Sequence, residues 1–289
     1  MKRFVLIFLL AIVSTQGFSK FLLDSLETRK KGQFYLLWGY NREIYTKSTI
    51  HFQNKTGDPT RTDEFGVYDF TLYNVTAHDR PGFDLIRDVI NITIPQFNFR
   101  IGYYFNNKKD WGVELSYDHA KYIVTDYQTA HIKGTILGQY MDKDTLMDPH
   151  YIHFEHSDGA NFWMFNAMKR WKILKSKNGK HNLGIVFKPG IGFVYPRTDV
   201  TIFGHRLNNN WKISGVIAGV EADVRAELWR GWVISFAGKA AYADYVNCLV
   251  QGKGNGKAQH TFGTLECVLT MGYQFNWGHM GKRCGFIWR

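Results

Sequence analysis

The chain has 289 residues, of which 16% are aromatic, and it carries a formal net charge of +11 at pH 7. Its three cysteines, Cys248, Cys267 and Cys284, are odd in number and widely spaced, which describes neither a disulfide framework nor a zinc site. We therefore predict no metal and no cofactor. This excess of positive charge favours anionic partners such as phosphorylated lipid.

The amino terminus has the layout of a secretory signal. Lys2 and Arg3 precede an apolar stretch over residues 4–13, and small and polar residues follow it. A helix needs about 20 apolar residues to span a bilayer, so this stretch is too short for a membrane anchor. We predict a signal peptide over residues 1–19 and a short periplasmic segment over residues 20–33. Nucleic acid is excluded as a partner of an exported protein.

Alternation of apolar and polar residues predicts eight strands in the rest of the chain, because side chains on a strand repeat with a period of two. The last segment shows it best, since Leu265 and Leu269 alternate with Glu266 and Thr270. The eight segments are residues 34–40, 96–106, 111–118, 160–173, 184–195, 216–228, 232–242 and 264–277.

Three features leave parts of this interpretation open. Residues 216–228 also fit a helix, because valines recur at intervals of four, although the neighbouring segments favour a strand. Pro189 lies inside a predicted strand, where a proline usually marks a bulge. Residues 67–75 and 128–136 alternate as well, so a count of ten or twelve strands remains possible.

The alternating strands predict a closed antiparallel transmembrane β-barrel over residues 34–277, followed by a tail over residues 278–289, and the lengths of the connections predict its direction in the membrane. Bacterial barrels have short periplasmic turns and longer external loops. Short links here alternate with long ones, which places both ends of the barrel in the periplasm. The short links are residues 106–110, 175–180 and 229–231, and the long links are residues 45–95, 125–160, 196–212 and 247–262.

The signal peptide, the hairpin of residues 97–117 and the strand of residues 265–277 resemble those of small bacterial outer-membrane β-barrel proteins. The resemblance implies the bacterial outer membrane as the location, with membrane lipid and lipopolysaccharide as partners. Family members end on an aromatic residue that the barrel insertion machinery reads, and Phe275 and Trp277 match that signal although a tail follows them. The fold leaves open a structural or surface-interaction role, a lipid-modifying hydrolase and a small solute pore.

A polar cluster at the predicted outer rim carries the hydrolase alternative. A histidine near a serine and a carboxylate is what ester hydrolysis requires, because the hydroxyl needs a base to become a nucleophile. The cluster is similar to the rim motif of lipid A deacylases, which implies His156 as the base, Ser157 as the nucleophile and Glu155 or Asp158 as the orienting group. In that family the histidine and serine are two residues apart, whereas here they are adjacent and point to opposite faces of a strand.

A second group at the same rim predicts a binding surface. His119, Lys121 and Tyr122 follow one strand, and Asn161 begins the next. We expect these four residues to contact lipid headgroups or a surface partner, and we expect the external loops to carry the function, because loops change without disturbing the barrel wall.

Charged residues on the interior faces of the strands are expected to pair with one another and to close the lumen, because an eight-stranded barrel is only wide enough for side chains. This expectation favours a structural or surface-interaction barrel without enzymatic activity. The charges are Glu114, Asp118, Lys188, Glu221, Asp223, Arg225, Glu227, Lys239 and Glu266.

Overall fold

A computed structural model describes residues 32–80, 96–105, 110–177, 180–251 and 256–276. The described residues form an antiparallel β structure, with a single 3-10 turn at Trp229–Gly231. No helix among them is long and apolar enough to cross a membrane.

Several predictions for the ends of the chain lie outside the described residues. They concern the signal peptide over residues 1–19, the tail over residues 278–289, and Trp277 and Cys284. Only the last two residues of the segment 20–33 are described, and the second of them begins the first strand.

The described strands are β1 (Gln33–Tyr45), β2 (Ser48–Asn54), β3 (Tyr68–Val75), β4 (Ala77–His78), β5 (Phe97–Tyr104), β6 (Trp111–Asp118), β7 (Tyr122–Val124), β8 (Thr129–Ile136), β9 (Gln139–Leu146), β10 (Ile152–His156), β11 (Phe162–Lys175), β12 (Asn182–Val194), β13 (Arg197–Ile202), β14 (His205–Trp211), β15 (Gly215–Glu227), β16 (Trp232–Leu249) and β17 (Lys257–Asn276).

Eight of these strands close into a barrel in the order β1-β5-β6-β11-β12-β15-β16-β17, and β17 pairs with β1. The strands coincide with the eight segments that the alternation predicts. Following the register once around the barrel from Tyr35 leads back to Tyr45, a shift of ten residues along β1. Such a stagger tilts the strands, as closure of a barrel requires. Residues 216–228 are therefore strand rather than helix.

The outward face of the barrel is apolar and its interior is polar. On β5, Phe97, Phe99 and Ile101 are partly exposed, whereas Asn98 and Arg100 are buried. Exposed apolar side chains continue around the wall. A bilayer accepts this arrangement because the polar side chains and the backbone groups are satisfied inside the wall.

The lumen is filled with ion pairs, as the sequence predicts. Arg100 lies 2.7 Å from Asp118, and Lys188 lies 3.0 Å from Asp223. The charged residues that the sequence places in the lumen are all buried, and each has a charged partner. The barrel interior is therefore packed with side chains.

The connections follow the predicted alternation of short and long links, with one correction. The three short turns are confirmed, but the predicted long link at residues 247–262 is wrong, because β16 runs to Leu249 and β17 begins at Lys257. Near the upper ends of these two strands, the paired residues Asp244 and Thr261 place polar side chains on the outward face. Apolar alternation therefore stops although the strands continue.

Pro189 also departs from expectation. It faces Val220 on β15 without a change of register. The β11–β12 pairing is interrupted at Pro189 and resumes unchanged, whereas the register shift lies between Lys172 and Leu174. The proline therefore removes ladder contacts, and the bulge forms elsewhere in the same strand pair.

Beyond the barrel, the long links fold into two sheets on the side that the rule of short periplasmic turns assigns to the cell exterior. The upper end of β17 pairs with β2, and the sheet continues through β3 and β8 to β9. Residues 67–75 and 128–136 thus supply β3 and β8 outside the barrel, so the barrel has eight strands and not ten or twelve. The second sheet has the order β14-β13-β10-β7-β4.

The two sheets pack face to face around an aromatic core. Phe52 of the first sheet contacts Phe154 of the second with ring centroids 5.5 Å apart, and Tyr68 lies 5.3 Å from Phe203. These rings are largely or wholly buried. The external loops therefore form a β-sandwich with its own hydrophobic core, which we call the external sandwich.

Candidate functional site

His119 and Asn161, two residues of the predicted binding group, meet at the rim of the barrel. The His119 Nδ1 lies 2.8 Å from the Asn161 Oδ1, and the Tyr117 hydroxyl donates to the same oxygen at 2.8 Å. The imidazole also stacks on Phe97, with centroids 5.1 Å apart. Burial lowers the pKa of His119, against the opposing effect of the bond to Asn161. Both side chains are thus held in place at the rim.

The other two residues of the predicted binding group separate. Lys121 is partly buried, and burial lowers its pKa. Tyr122 is completely buried and stacks on Phe262 at 4.6 Å. Strand β7 is buried at all three positions, because the external sandwich covers both of its faces. Tyr122 therefore belongs to the core and does not present its side chain to a surface ligand.

Glu155 is the centre of a polar cluster on β10. It accepts a hydrogen bond from the Ser157 hydroxyl at 2.5 Å, and its second oxygen lies 3.1 Å from Arg80 and 3.3 Å from His153. Burial alone would raise the pKa of Glu155, but the bonds from His153 and Ser157 outweigh it and lower the pKa to about 2. Asp158 pairs instead with Arg197 at 3.1 Å.

His156 faces away from this cluster. Its Nε2 lies 3.1 Å from the His260 Nε2 and 3.9 Å from the Cys248 Sγ. Burial lowers the pKa of His156 to about 3, so the ring stays neutral near pH 7. Because neighbouring side chains on β10 point to opposite faces, His156 does not contact Ser157. The structure does not assemble the base and nucleophile pair that the hydrolase alternative requires.

The prediction of no metal considered only the spacing of the cysteines. Folding brings Cys248 together with two histidines that are distant from it in sequence. His156, Cys248 and His260 place one ligand atom each within 4.8 Å of the others. Among the described residues, this group alone has the composition and spacing to hold a metal ion.

An apolar cleft opens beside β9, at the edge of the first external sheet. Its volume is about 210 Å³. The exposed side chains Leu146 and Tyr151 and the partner strand's Ile132 border it, together with Leu72, Ile136, Met141, Lys143, Thr145, Met147, Asp148 and Ile152. The sequence did not predict this cleft, because residues of β8 alternate whereas those of β9 are more polar. The apolar residues Tyr140 and Leu146 of β9 were the signal available in the sequence, and both are exposed in the structure.

Ion pairs hold β9 against β8. The His131 Nδ1 lies 2.8 Å from the Asp144 carboxylate and its Nε2 lies 3.0 Å from Asp142. Lys133 also contacts Asp142 at 3.0 Å. The hydrogen bond with Asp144 raises the pKa of the exposed His131. β9 pairs with β8 on one side and ends the sheet on the other.

Comparison with known proteins finds no matching family model and no matching curated protein. Solved structures of bacterial surface proteins do match. Neisserial surface protein A has a TM-score of 0.32 and 9% identity, covering 81% of this chain and 95% of that chain. The outer membrane protein OprG from Pseudomonas aeruginosa has a TM-score of 0.35 and 12% identity, covering 85% of this chain and 97% of that chain. The third structure is Ail, the attachment invasion locus protein of Yersinia pestis, in complex with the heparin analogue sucrose octasulfate. It has a TM-score of 0.30 and 14% identity, covering 85% of this chain and 99% of that chain.

The barrel itself defines the class of the protein. An even number of antiparallel strands closes into a ring with an apolar outer face, a polar interior and short turns at one end, which is the architecture of bacterial outer-membrane barrels. The chain is therefore a bacterial outer-membrane β-barrel protein with a folded external sandwich.

Proposed function

We propose that this protein is a surface-recognition protein of the outer membrane, in which the barrel anchors the external sandwich and the sandwich binds an extended polypeptide. The observation that carries the proposal is the apolar cleft beside β9. A strand at the edge of a sheet presents unpaired backbone N–H and C=O groups, and an extended peptide can add to it as a further strand. The cleft would then receive the apolar side chains of that peptide.

The filled lumen supports this proposal over the pore alternative. Arg100 on β5 lies 3.2 Å from Glu221 on β15, and Lys239 on β16 lies 2.6 Å from Asp118 on β6. In each pair the two strands stand four places apart in the ring of eight, so the ion pairs reach across the lumen. A solute would have to break several buried ion pairs to pass.

The site geometry gives no comparable support to the hydrolase alternative, because Ser157 donates to Glu155 whereas His156 faces His260. The rim residues His119, Lys121 and Asn161 have a different place in the proposal. They lie at the upper end of the barrel wall, where the partly exposed His119 and Lys121 would contact lipopolysaccharide headgroups and the buried Asn161 holds His119 in place.

The proposal can be tested with a displayed library of random ten-residue peptides, selected on the purified protein in detergent micelles. We expect enriched peptides to alternate apolar and polar residues. Leu146→Asp should weaken the best peptide by at least about tenfold, because burying a leucine side chain is worth about 1.5–3 kcal/mol. Tyr127→Asp is the matched control, since Tyr127 is as exposed as Leu146 and does not line the cleft.

Two results would contradict the proposal. One is a selection in which no peptide is enriched above empty micelles. The other is equal affinity of wild type and Leu146→Asp for the selected peptide, because binding would then lie elsewhere.

A further inference from the structure

Three side chains that commonly ligate metals meet in the core of the external sandwich. His156 comes from β10, Cys248 from the upper part of β16, and His260 from the upper part of β17. All three are buried. The group therefore connects the second external sheet to the hairpin that extends the barrel.

The distances between the ligand atoms match a coordination sphere. Zinc holds imidazole nitrogens at about 2.0–2.1 Å and thiolate sulfur at about 2.3 Å in a tetrahedral arrangement. Two such nitrogens lie about 3.3 Å apart, and a nitrogen and a sulfur about 3.6 Å apart. The observed separations are 3.1 Å between the histidine nitrogens and 3.9 Å between His156 and Cys248. These two separations differ from the tetrahedral values by a few tenths of an ångström, and the third pair, His260 and Cys248, lies within 4.8 Å.

The two histidine rings lie among aromatic side chains, and the Cys248 thiol has the hydroxyl groups of Thr198 and Ser214 as hydrogen-bond partners. Tyr245 stacks on both imidazoles, with centroids 5.1 Å from His156 and 4.7 Å from His260, and Phe154 packs edge-on at 5.0 Å from His156. The Nδ1 of His156 is buried and has no hydrogen-bond partner among the described residues. Such an atom is unusual, because buried polar groups are normally hydrogen bonded.

The Nδ1 of His260, unlike that of His156, has a hydrogen-bond partner. It lies 3.4 Å from the Ser48 hydroxyl. Histidines that bind metals typically make a hydrogen bond through the second ring nitrogen, which fixes the ring orientation. This contact orients the His260 Nε2 toward the other two ligand atoms.

We propose that His156 Nε2, His260 Nε2 and Cys248 Sγ bind one zinc ion that fastens β10 to the β16–β17 hairpin. Imidazole and thiolate together suit zinc. On binding, the Cys248 thiol gives up its proton to solvent and the sulfur forms the bond to zinc. The three residues would supply three of the four ligands of a tetrahedral site. Nothing in the proposed recognition function depends on this ion.

The test uses the full chain refolded in detergent, treated with a chelator, supplied with zinc and freed of excess metal. We expect mass spectrometry of the metal content to find one zinc per chain. Cys248→Ser should bind zinc at least about tenfold more weakly, since loss of even an outer hydrogen-bond partner of a ligand costs 10–100-fold in affinity. Cys267→Ser is the matched control, because Cys267 is exposed on the barrel wall and should leave the zinc content unchanged.

Cobalt provides a second measurement on the unaltered protein. Replacing zinc with Co²⁺ should give the visible absorption of a tetrahedral site together with a thiolate-to-cobalt charge-transfer band. Folded wild-type protein that takes up no zinc and shows no such band would overturn the proposal. Equal zinc affinity in folded wild type and Cys248→Ser would also overturn it.

Discussion

Arg100 and Glu221 lie 3.2 Å apart although their strands stand on opposite sides of the barrel. Both side chains are buried. A charge removed from water at a large cost needs partners of opposite sign. The lumen therefore acts as a packed polar core that joins opposite walls.

Removing one of these charges should destabilise the barrel. Lys239→Met leaves Asp118 and Glu266 without the ammonium that lies 2.6 Å and 3.0 Å from them. We expect a loss of about 3–5 kcal/mol, as for other buried pairs from which one partner is removed. The heat-modifiable shift on gels, followed in increasing urea, measures it. Lys175→Met, at the exposed end of β11, should change little.

The lipid-facing wall makes a separate prediction. Leu269 is 54% exposed on the outward face of β17. Leu269→Arg should cost about 2–4 kcal/mol if the residue lies near the bilayer midplane. Thr261→Arg is the matched control on the same strand, because it lies above the apolar belt and should be tolerated. Equal membrane yields of the two variants would show that Leu269 does not face lipid.

The external sandwich should lose stability when its core is opened. Phe154 is completely buried between the two sheets. Phe154→Ala should destabilise the sandwich by about 3–5 kcal/mol, since a large core side chain is replaced by a cavity. Limited proteolysis should then cleave the external loops while the barrel keeps its heat-modifiable mobility. Tyr127→Ala, at an exposed site, should resist protease like the wild type.

The β8–β9 hairpin should respond to pH through His131. Its pKa is raised by Asp144 and Asp142, so the contribution of the charged ring to hairpin stability is fully present below its unfolded pKa of about 6.5. That contribution is lost as pH rises through the folded pKa. NMR titration of the ring should give a pKa above 6.5 in wild type and a lower one in Asp144→Asn. A wild-type value at or below 6.5 would show that these contacts do not form in solution.

The barrel could be predicted from the sequence because lipid forces apolar residues onto every second position of each strand. That constraint ends where the strands leave the membrane. Seven of the described external strands were missed, namely β2, β4, β7, β9, β10, β13 and β14. The exposed side chains of β9 and β14 are mainly polar, and β7 and β13 are buried at nearly every position, so none of these four alternates clearly. The upper ends of β16 and β17 were assigned to a loop for the same reason.

The candidate sites were harder to predict, because they depend on contacts between distant parts of the chain. His156 and Ser157 are adjacent in sequence and suggested a catalytic pair, but the strand points them apart. His156 instead meets Cys248, 92 positions away, and His260, 104 positions away. His119 and Asn161 come together because His119 follows β6 and Asn161 precedes β11, which are neighbouring barrel strands.

Under the proposed function, recognition takes place at the cleft beside β9 and not in the lumen. Methyl NMR of the protein in lipid nanodiscs, titrated with the selected peptide, tests it most directly. Ile132 and Ile136 line the cleft, whereas Met168 is buried in the barrel interior. We expect chemical-shift changes at the two isoleucine methyl groups and none at Met168. Changes at Met168 with unaltered isoleucine signals would contradict it.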